Sequence, residues 1–114
     1  MSDCIFCKIA NGEIPTTTVY ENDLVRAFRD TDPQAPTHVL VVPKRHVQSV
    51  SQLTQEDGAL MLALLDAVQA VVKSEGLEEG GYRLVANTGE QGGQSVPHLH
   101  IHVLGGRDMK WPPG

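Results

Sequence analysis

Three histidines fall within five consecutive positions, His98-Leu99-His100-Ile101-His102, and they are the strongest chemical signal in the chain. On a strand, side chains alternate, so the three imidazoles would share one face about 6.6 Å apart. Leu99, Ile101 and Val103 would then turn toward a core. A strand that only needed a wet face could use Thr, Lys or Glu equally well. Imidazole suits a group that must act as nucleophile, proton shuttle or metal ligand near neutral pH. Just upstream runs Asn87-Thr88-Gly89-Glu90-Gln91-Gly92-Gly93-Gln94-Ser95. Its glycines let the backbone approach a ligand and turn N–H groups toward an anion, and Asn87, Gln94 and Ser95 add side-chain donors. Alone, such a loop is more often a flexible connection; beside a histidine ladder it reads as a phosphate cradle. It lacks the G-x-x-x-x-G-K-[ST] pattern, which excludes a P-loop.

Positioning these groups requires a scaffold, and the sequence outlines one. Asp3 can cap a short helix from about Ile5, which Gly12 would end. Thr17–Tyr20 and Leu24–Arg29 read as strands joined by a tight turn at Glu21-Asn22-Asp23. Asp32-Pro33-Gln34-Ala35-Pro36 is a loop, since each proline fixes φ and restricts its predecessor. His38–Val42 is apolar enough for a central strand, and Pro43 stops it. Thr54-Gln55-Glu56-Asp57 resembles a capping box, and Leu60, Leu64, Val68 and Val71, widened by Met61, Leu65 and Val72, give a helical stripe running to about Glu75. Tyr82–Asn87 and His98–Leu104 complete five strands. The order predicts an α+β fold with a mainly antiparallel sheet, one short helix and one long one.

The chain has 114 residues, 40% of them hydrophobic, which suits a single domain over residues 1–114 with one sizeable core. Nine Lys and Arg against 14 Asp and Glu leave a net charge of −5, contrary to what a nucleic-acid or anionic-membrane binder needs. The longest apolar run, Ala59–Leu65, is too short to span a bilayer. The Met-Ser-Asp-Cys start has no signal-peptide character, so the expected compartment is the cytoplasm. Cys4 and Cys7, the only cysteines, form a C-x-x-C pair that cannot staple a secreted scaffold.

His98 to Leu104 fits the pattern His-φ-His-φ-His-φ-φ and resembles the histidine-triad (HIT) superfamily. Asp32 to His38, Gly92-Gly93-Gln94-Ser95, and Leu104-Gly105-Gly106-Arg107 through Trp111-Pro112-Pro113-Gly114 look like its Hint branch. The resemblance extends over essentially the whole chain. It implies homodimers whose sheets join into one. It also implies hydrolysis of purine nucleoside 5′-phosphoramidates to a nucleoside monophosphate (AMP or GMP) and an amine.

Carried onto these positions, the resemblance makes His100 the nucleophile that forms a nucleotidyl-histidine, its second ring nitrogen held by an acceptor such as a backbone carbonyl. His102 would contact the phosphate, with His38 and His98 in support, and Ser95 would serve the departing amine. Backbone amides near Gly93 and Gln94 would hold phosphoryl oxygens, and Asn87 would add a donor. Asp30 would accept from the ribose hydroxyls, or simply cap the loop at a strand end. Ile5, Phe6, Ile9 and Phe28 align with the base pocket and could equally be core. Thr31 stands where a bulkier apolar residue is expected. Trp111 would approach the partner's active site, or pack on its own sheet. No Mg²⁺ constellation is visible, so no requirement is expected. Cys4 and Cys7 make half of a tetrahedral zinc site, with His46 and His98 as candidates for the rest. HIT proteins with C-x-x-C here look alike and bind structural zinc through this set; a free thiol pair and a redox pair are the alternatives. The competing functions are a HIT-family dinucleoside polyphosphate hydrolase and a nucleotide-binding or interaction module with little turnover.

Overall fold

Alternation along the strands gives the sheet two apolar faces, and each receives a helix. The structure is a computed structural model describing residues 3–114. Its elements are α1 (Ile5–Ala10), β1 (Thr18–Glu21), β2 (Val25–Arg29), β3 (Thr37–Pro43), α2 (Gly58–Ser74), β4 (Tyr82–Val85), α3 (Gly89–Gly92) and β5 (Ile101–Gly105). The strands form one five-stranded sheet ordered β1-β2-β3-β5-β4, with all neighbours antiparallel. The predicted α+β architecture is thus present. β3 takes the central place its apolar run predicts, every residue buried.

α2 covers one face. Leu60, Leu64, Val68 and Val71 pack against Val25, Ala27, Val39, Val41 and Val103. Each such side chain, fully buried, contributes about 1.5–3 kcal/mol. Leu65 does not belong to this stripe: it is 52% exposed, since one residue past Leu64 the helix has turned about 100°. The Thr54–Asp57 box forms with both reciprocal hydrogen bonds, but it caps a 3-10 turn, Gln55–Asp57, that leads into α2. Gly76 takes φ +70° just past the helix end, as its position predicts.

α1 covers the other face, where Phe6, Ile9 and Ala10 pack on Phe28, Leu40 and Val42. Asp3 is not the cap. Cys4 occupies that position and its Sγ accepts from Cys7 N–H at 3.4 Å. Sulfur is a weak acceptor beside the oxygens that usually cap helices, so cysteine here answers to another requirement.

β5 starts later than the histidine run. In register, Val41 lies opposite Ile101, so Leu99 would face Pro43, which has no N–H for the Leu99 carbonyl and whose own carbonyl is taken by His98 Nε2. The Leu99 N–H goes instead to the Val47 carbonyl at 2.6 Å. His98, Leu99 and His100 therefore precede the ladder rather than open it. Among the described residues, no helix is long and apolar enough to cross a membrane.

Candidate active site

Paired residues in adjacent antiparallel strands share a face. Leu40 faces His102 and His38 faces Leu104 across β3 and β5, and Phe28 faces Leu40 across β2 and β3. His38 and His102 thus lie on the α1 face. His100 joins them: its ring centroid is 5.0 Å from that of His102 and 5.0 Å from the Phe6 ring. His38 and His102 are 5.1 Å apart by the same measure.

Backbone partners assign the protons. His100 Nδ1 lies 2.7 Å from the His98 carbonyl oxygen, which can only accept, so Nδ1 donates and Nε2 keeps the lone pair. His38 Nδ1 accepts from the Gln34 N–H at 3.0 Å, so its proton sits on Nε2. That proton points to His102 Nδ1 at 2.8 Å, with Asp30 Oδ2 at 3.5 Å. His102 must accept there and carries its own proton on Nε2. Burial, with the His100 and His38 rings, pushes the His102 imidazole down to about 4; burial also lowers His38 against the pull of Asp30 and Asp32. Both are neutral at pH 7, as this pattern requires. The fully buried side-chain polar atoms without partners among the described residues are Thr16 Oγ1 and Arg26 Nε, so His100 Nε2 and His102 Nε2 are not sealed off. His100 therefore offers a lone pair and His102 a proton, on rings whose centroids are 5.0 Å apart.

The glycine-rich segment is a single helical turn, and this corrects two assignments. The Gln94 side-chain amide is not free for a phosphate: its Nε2 donates to the Gln48 and Val96 carbonyls, and its Oε1 accepts from Gly89 N–H. The main-chain N–H groups of Gly93 and Gln94 are also taken, by the Glu90 and Gly89 carbonyls. Gln94 shapes the turn, and the cradle is narrower than the sequence suggests. Ser95 remains exposed and Asn87 half-buried. Asn87 lines a cleft of about 630 Å³ together with Gly92, Leu104 and Val85, the register partner of His102.

Asp30 does cap the loop, Oδ1 accepting from Asp32 N–H at 2.8 Å, while Oδ2 stays beside His38. Phe6, Ile9 and Phe28 are core, Phe6 meeting Phe28 edge-on at 5.7 Å, whereas Ile5 is half exposed. Trp111 is not packed into its own sheet: it is 80% exposed, with the Arg83 guanidinium over its ring at 5.9 Å.

A second cluster sits at the start of α1. Donor atoms of Cys4, Cys7, His46 and His98 all lie within 4.8 Å of one another. His98 Nδ1 is 3.3 Å from Cys4 Sγ and 3.5 Å from Cys7 Sγ, and His46 Nδ1 is 3.3 Å from Cys7 Sγ. Tetrahedral zinc with its usual bond lengths spans an S···N edge of about 3.5 Å. His98 Nε2 donates to the Pro43 carbonyl at 2.9 Å, leaving the Nδ1 lone pair on the sulfurs. Burial and the neighbouring Cys4 raise the Cys7 thiol, which a bound cation would reverse. His38, by contrast, is not drawn into this set.

The model of the HIT domain matches residues 11–109. This chain belongs to the HIT domain family. It is 55% identical, over 98% of its length and 97% of the other's, to an uncharacterised HIT-like protein of Synechococcus elongatus. It is 49% identical to a 14 kDa zinc-binding protein of Zea mays, covering 99% of this chain and 89% of that one. The crystal structure of a HIT family hydrolase from Legionella pneumophila superimposes with a TM-score of 0.95 at 50% identity, over 98% of this chain and 100% of the other. The matched residues take in all five strands, α2, α3 and the histidine face, and α1 lies just before them. Two backbone groups that orient the imidazoles escaped the sequence: the Gln34 N–H at His38 and the Pro43 carbonyl at His98. Backbone groups leave no mark in residue type; only the prolines flanking Gln34 hinted at a rigid loop.

Proposed function

We propose that this HIT protein hydrolyses nucleoside 5′-phosphoramidates, with purine nucleotides as the products, and that His100 is its nucleophile. One observation carries the reading: the His98 carbonyl fixes the Nδ1–H tautomer of His100 and leaves its Nε2 lone pair unshared, on a ring whose centroid is 5.0 Å from that of His102. Nε2 of His100 attacks the α-phosphorus while His102 donates to a phosphoryl oxygen. The P–N bond breaks with its electron pair on the amine nitrogen, which takes a proton from solvent by way of the Ser95 hydroxyl. Water then attacks the phosphorus of the nucleotidyl-histidine and gives up a proton to solvent, and the P–Nε2 bond breaks with its electron pair on His100, releasing the monophosphate. Stabilising charge this way is worth roughly 3–4 kcal/mol per donor. Asp30 would hold the ribose, and Ile5 with Thr31 would edge the base.

The Cys4, Cys7, His46 and His98 donors fit zinc, whose chemistry here would be structural, crosslinking α1 to the end of β3 and the start of the histidine run. Two thiolates with two neutral imidazoles also leave a divalent site uncharged, which suits its burial. The zinc-binding name of the maize relative supports this. A homodimer is supported by the unpaired outer edge of β4, where Tyr82 and Leu84 are 45% and 43% exposed. The exposed Trp111 would then reach the partner's site. Free thiols at both cysteines suit a reducing compartment such as the cytoplasm.

The test is to incubate the protein with adenosine 5′-phosphoramidate and quench for an acid-labile adduct. Wild type should form the adduct and release AMP, and His100→Ala should do neither. A binding module would trap no adduct, and turnover that survives His100→Ala would remove the assigned nucleophile. A dinucleoside polyphosphate cleaved faster than the phosphoramidate would move the substrate class.

A further inference from the structure

Arg107 lies beyond β5, outside both clusters, and the mechanism above does not use it. Its guanidinium turns back onto the loop between β2 and β3. Nε and Nη2 both donate to the Gln34 carbonyl, at 3.2 and 3.0 Å, and Nη1 donates to the Asp108 carbonyl at 3.0 Å. The approach is close: Gly106 has φ +92°, and a Cβ there would stand 2.8 Å from the Pro36 ring. Apart from the bonds of Asp30 N–H and Gln34 N–H to His38, the described ties of the loop are internal: Asp32 N–H on Asp30 and the Gln34 side chain on the Asp32 carbonyl. Arg107 therefore grips from outside the one residue whose N–H meets His38 Nδ1.

The two polar groups of Gln34 flank a single α-carbon, so holding its carbonyl restricts where its N–H can point. That N–H decides where the His38 proton goes. We propose that Arg107 is a positioning residue for His102: through Gln34 and His38 it keeps the His102 proton on Nε2, where the phosphoryl oxygen would arrive. The order of donation is Arg107 to the Gln34 carbonyl, Gln34 N–H to His38 Nδ1, and His38 Nε2–H to His102 Nδ1. With the loop released, His38 can place its proton on Nδ1, His102 can follow, and Nε2 then meets the phosphate with a lone pair instead of a hydrogen. The consequence for rate rests on the phosphoramidase reading; the consequence for the two tautomers does not.

The experiment is a long-range ¹H–¹⁵N correlation of the imidazoles in wild type, Arg107→Met and Arg107→Gln. Wild type should show His38 and His102 as Nε2–H tautomers and His100 as Nδ1–H. In Arg107→Met the ring-nitrogen shifts of His38 and His102 should converge while His100 stays unchanged. Arg107→Gln, which keeps a donor and much of the side chain, should fall between them and covers the case in which the Met variant does not fold. Single turnover with adenosine 5′-phosphoramidate should slow about tenfold in Arg107→Met, the equivalent of one hydrogen bond. Unchanged tautomers at both histidines in a folded variant would overturn the proposal, whatever the rate. A wild type that turns over nothing would overturn the phosphoramidase reading alone.

Discussion

Among the described residues, two groups bring metal-binding side chains within 4.8 Å of one another: Cys4, Cys7, His46 and His98 at the start of α1, and Asp30, His38 and His102 on the α1 side of the sheet. By donor types alone both qualify. One backbone group at each makes them opposites. At His98 a carbonyl takes the ring proton, so the remaining lone pair faces two sulfurs. At His38 a peptide N–H takes the lone pair, and the proton left on Nε2 goes to His102. No unshared nitrogen pair remains between His38 and His102 for a cation. The first arrangement collects lone pairs and the second conducts hydrogen bonds. Clustering of donors therefore says little about a metal until the partner of the other ring nitrogen is known.

The largest test of that contrast is metal content. Cys7→Ser should lower bound zinc from about one per chain to none and cost about 10 °C in Tm, since α1 loses its tie to His98. His38→Ala should leave the zinc content unchanged. Metal analysis with thermal melts of the two variants decides this, and metal lost with His38 but kept without Cys7 would invert the comparison.

Smaller than the metal effect is the response to acid. His102 and His38 both lie below the ordinary histidine value in the folded protein, His102 at about 4. The unfolded chain takes up protons first, near pH 6.5, so it binds more protons than the folded chain between about pH 6.5 and 4. Stability from these rings is complete above pH 6.5 and is lost as pH falls toward 4. Urea midpoints measured from pH 7.5 to 4.5 on metal-free protein should decline over that window. The decline should flatten in His102→Asn, and a midpoint rising with acid would contradict the buried neutral pair.

The sequence made part of the histidine face legible because alternation is a property of residue order: it predicts His100 and His102 on one side, and their ring centroids lie 5.0 Å apart, whereas the register of β2, β3 and β5 is what brings His38 and Phe28 to them. The long helix was legible for the same reason. What stayed hidden depends on backbone groups far apart in the chain. The register that sets Leu99 against Pro43 decides that β5 starts at Ile101, and no local pattern encodes it. Gln94 looked like a ligand donor because its type allows it. Its amide is spent on the Gln48 and Val96 carbonyls, and the first of these is remote in sequence. Residue type tells which groups can do chemistry, and the fold determines which of them are left free to do it.

The finest test separates charge from geometry within the relay. Asp30 Oδ2 stands 3.5 Å from His38 Nε2, while Oδ1 is held by Asp32 N–H. Asp30→Asn can keep the loop bond through its amide oxygen and delete the negative charge. That charge raises both His38 and His102 against their burial, so removing it should lower both further. The acid limb of the stability profile should then move down by less than one pH unit, with the Nε2–H tautomers and the zinc content both unchanged. If the proton pattern came from the carboxylate, Asp30→Asn would scramble the tautomers as Arg107→Met is expected to do. The geometry assigns that role to the Gln34 N–H, at 3.0 Å and donor by necessity, and leaves Asp30 only a tuning of how readily the pair takes up a proton.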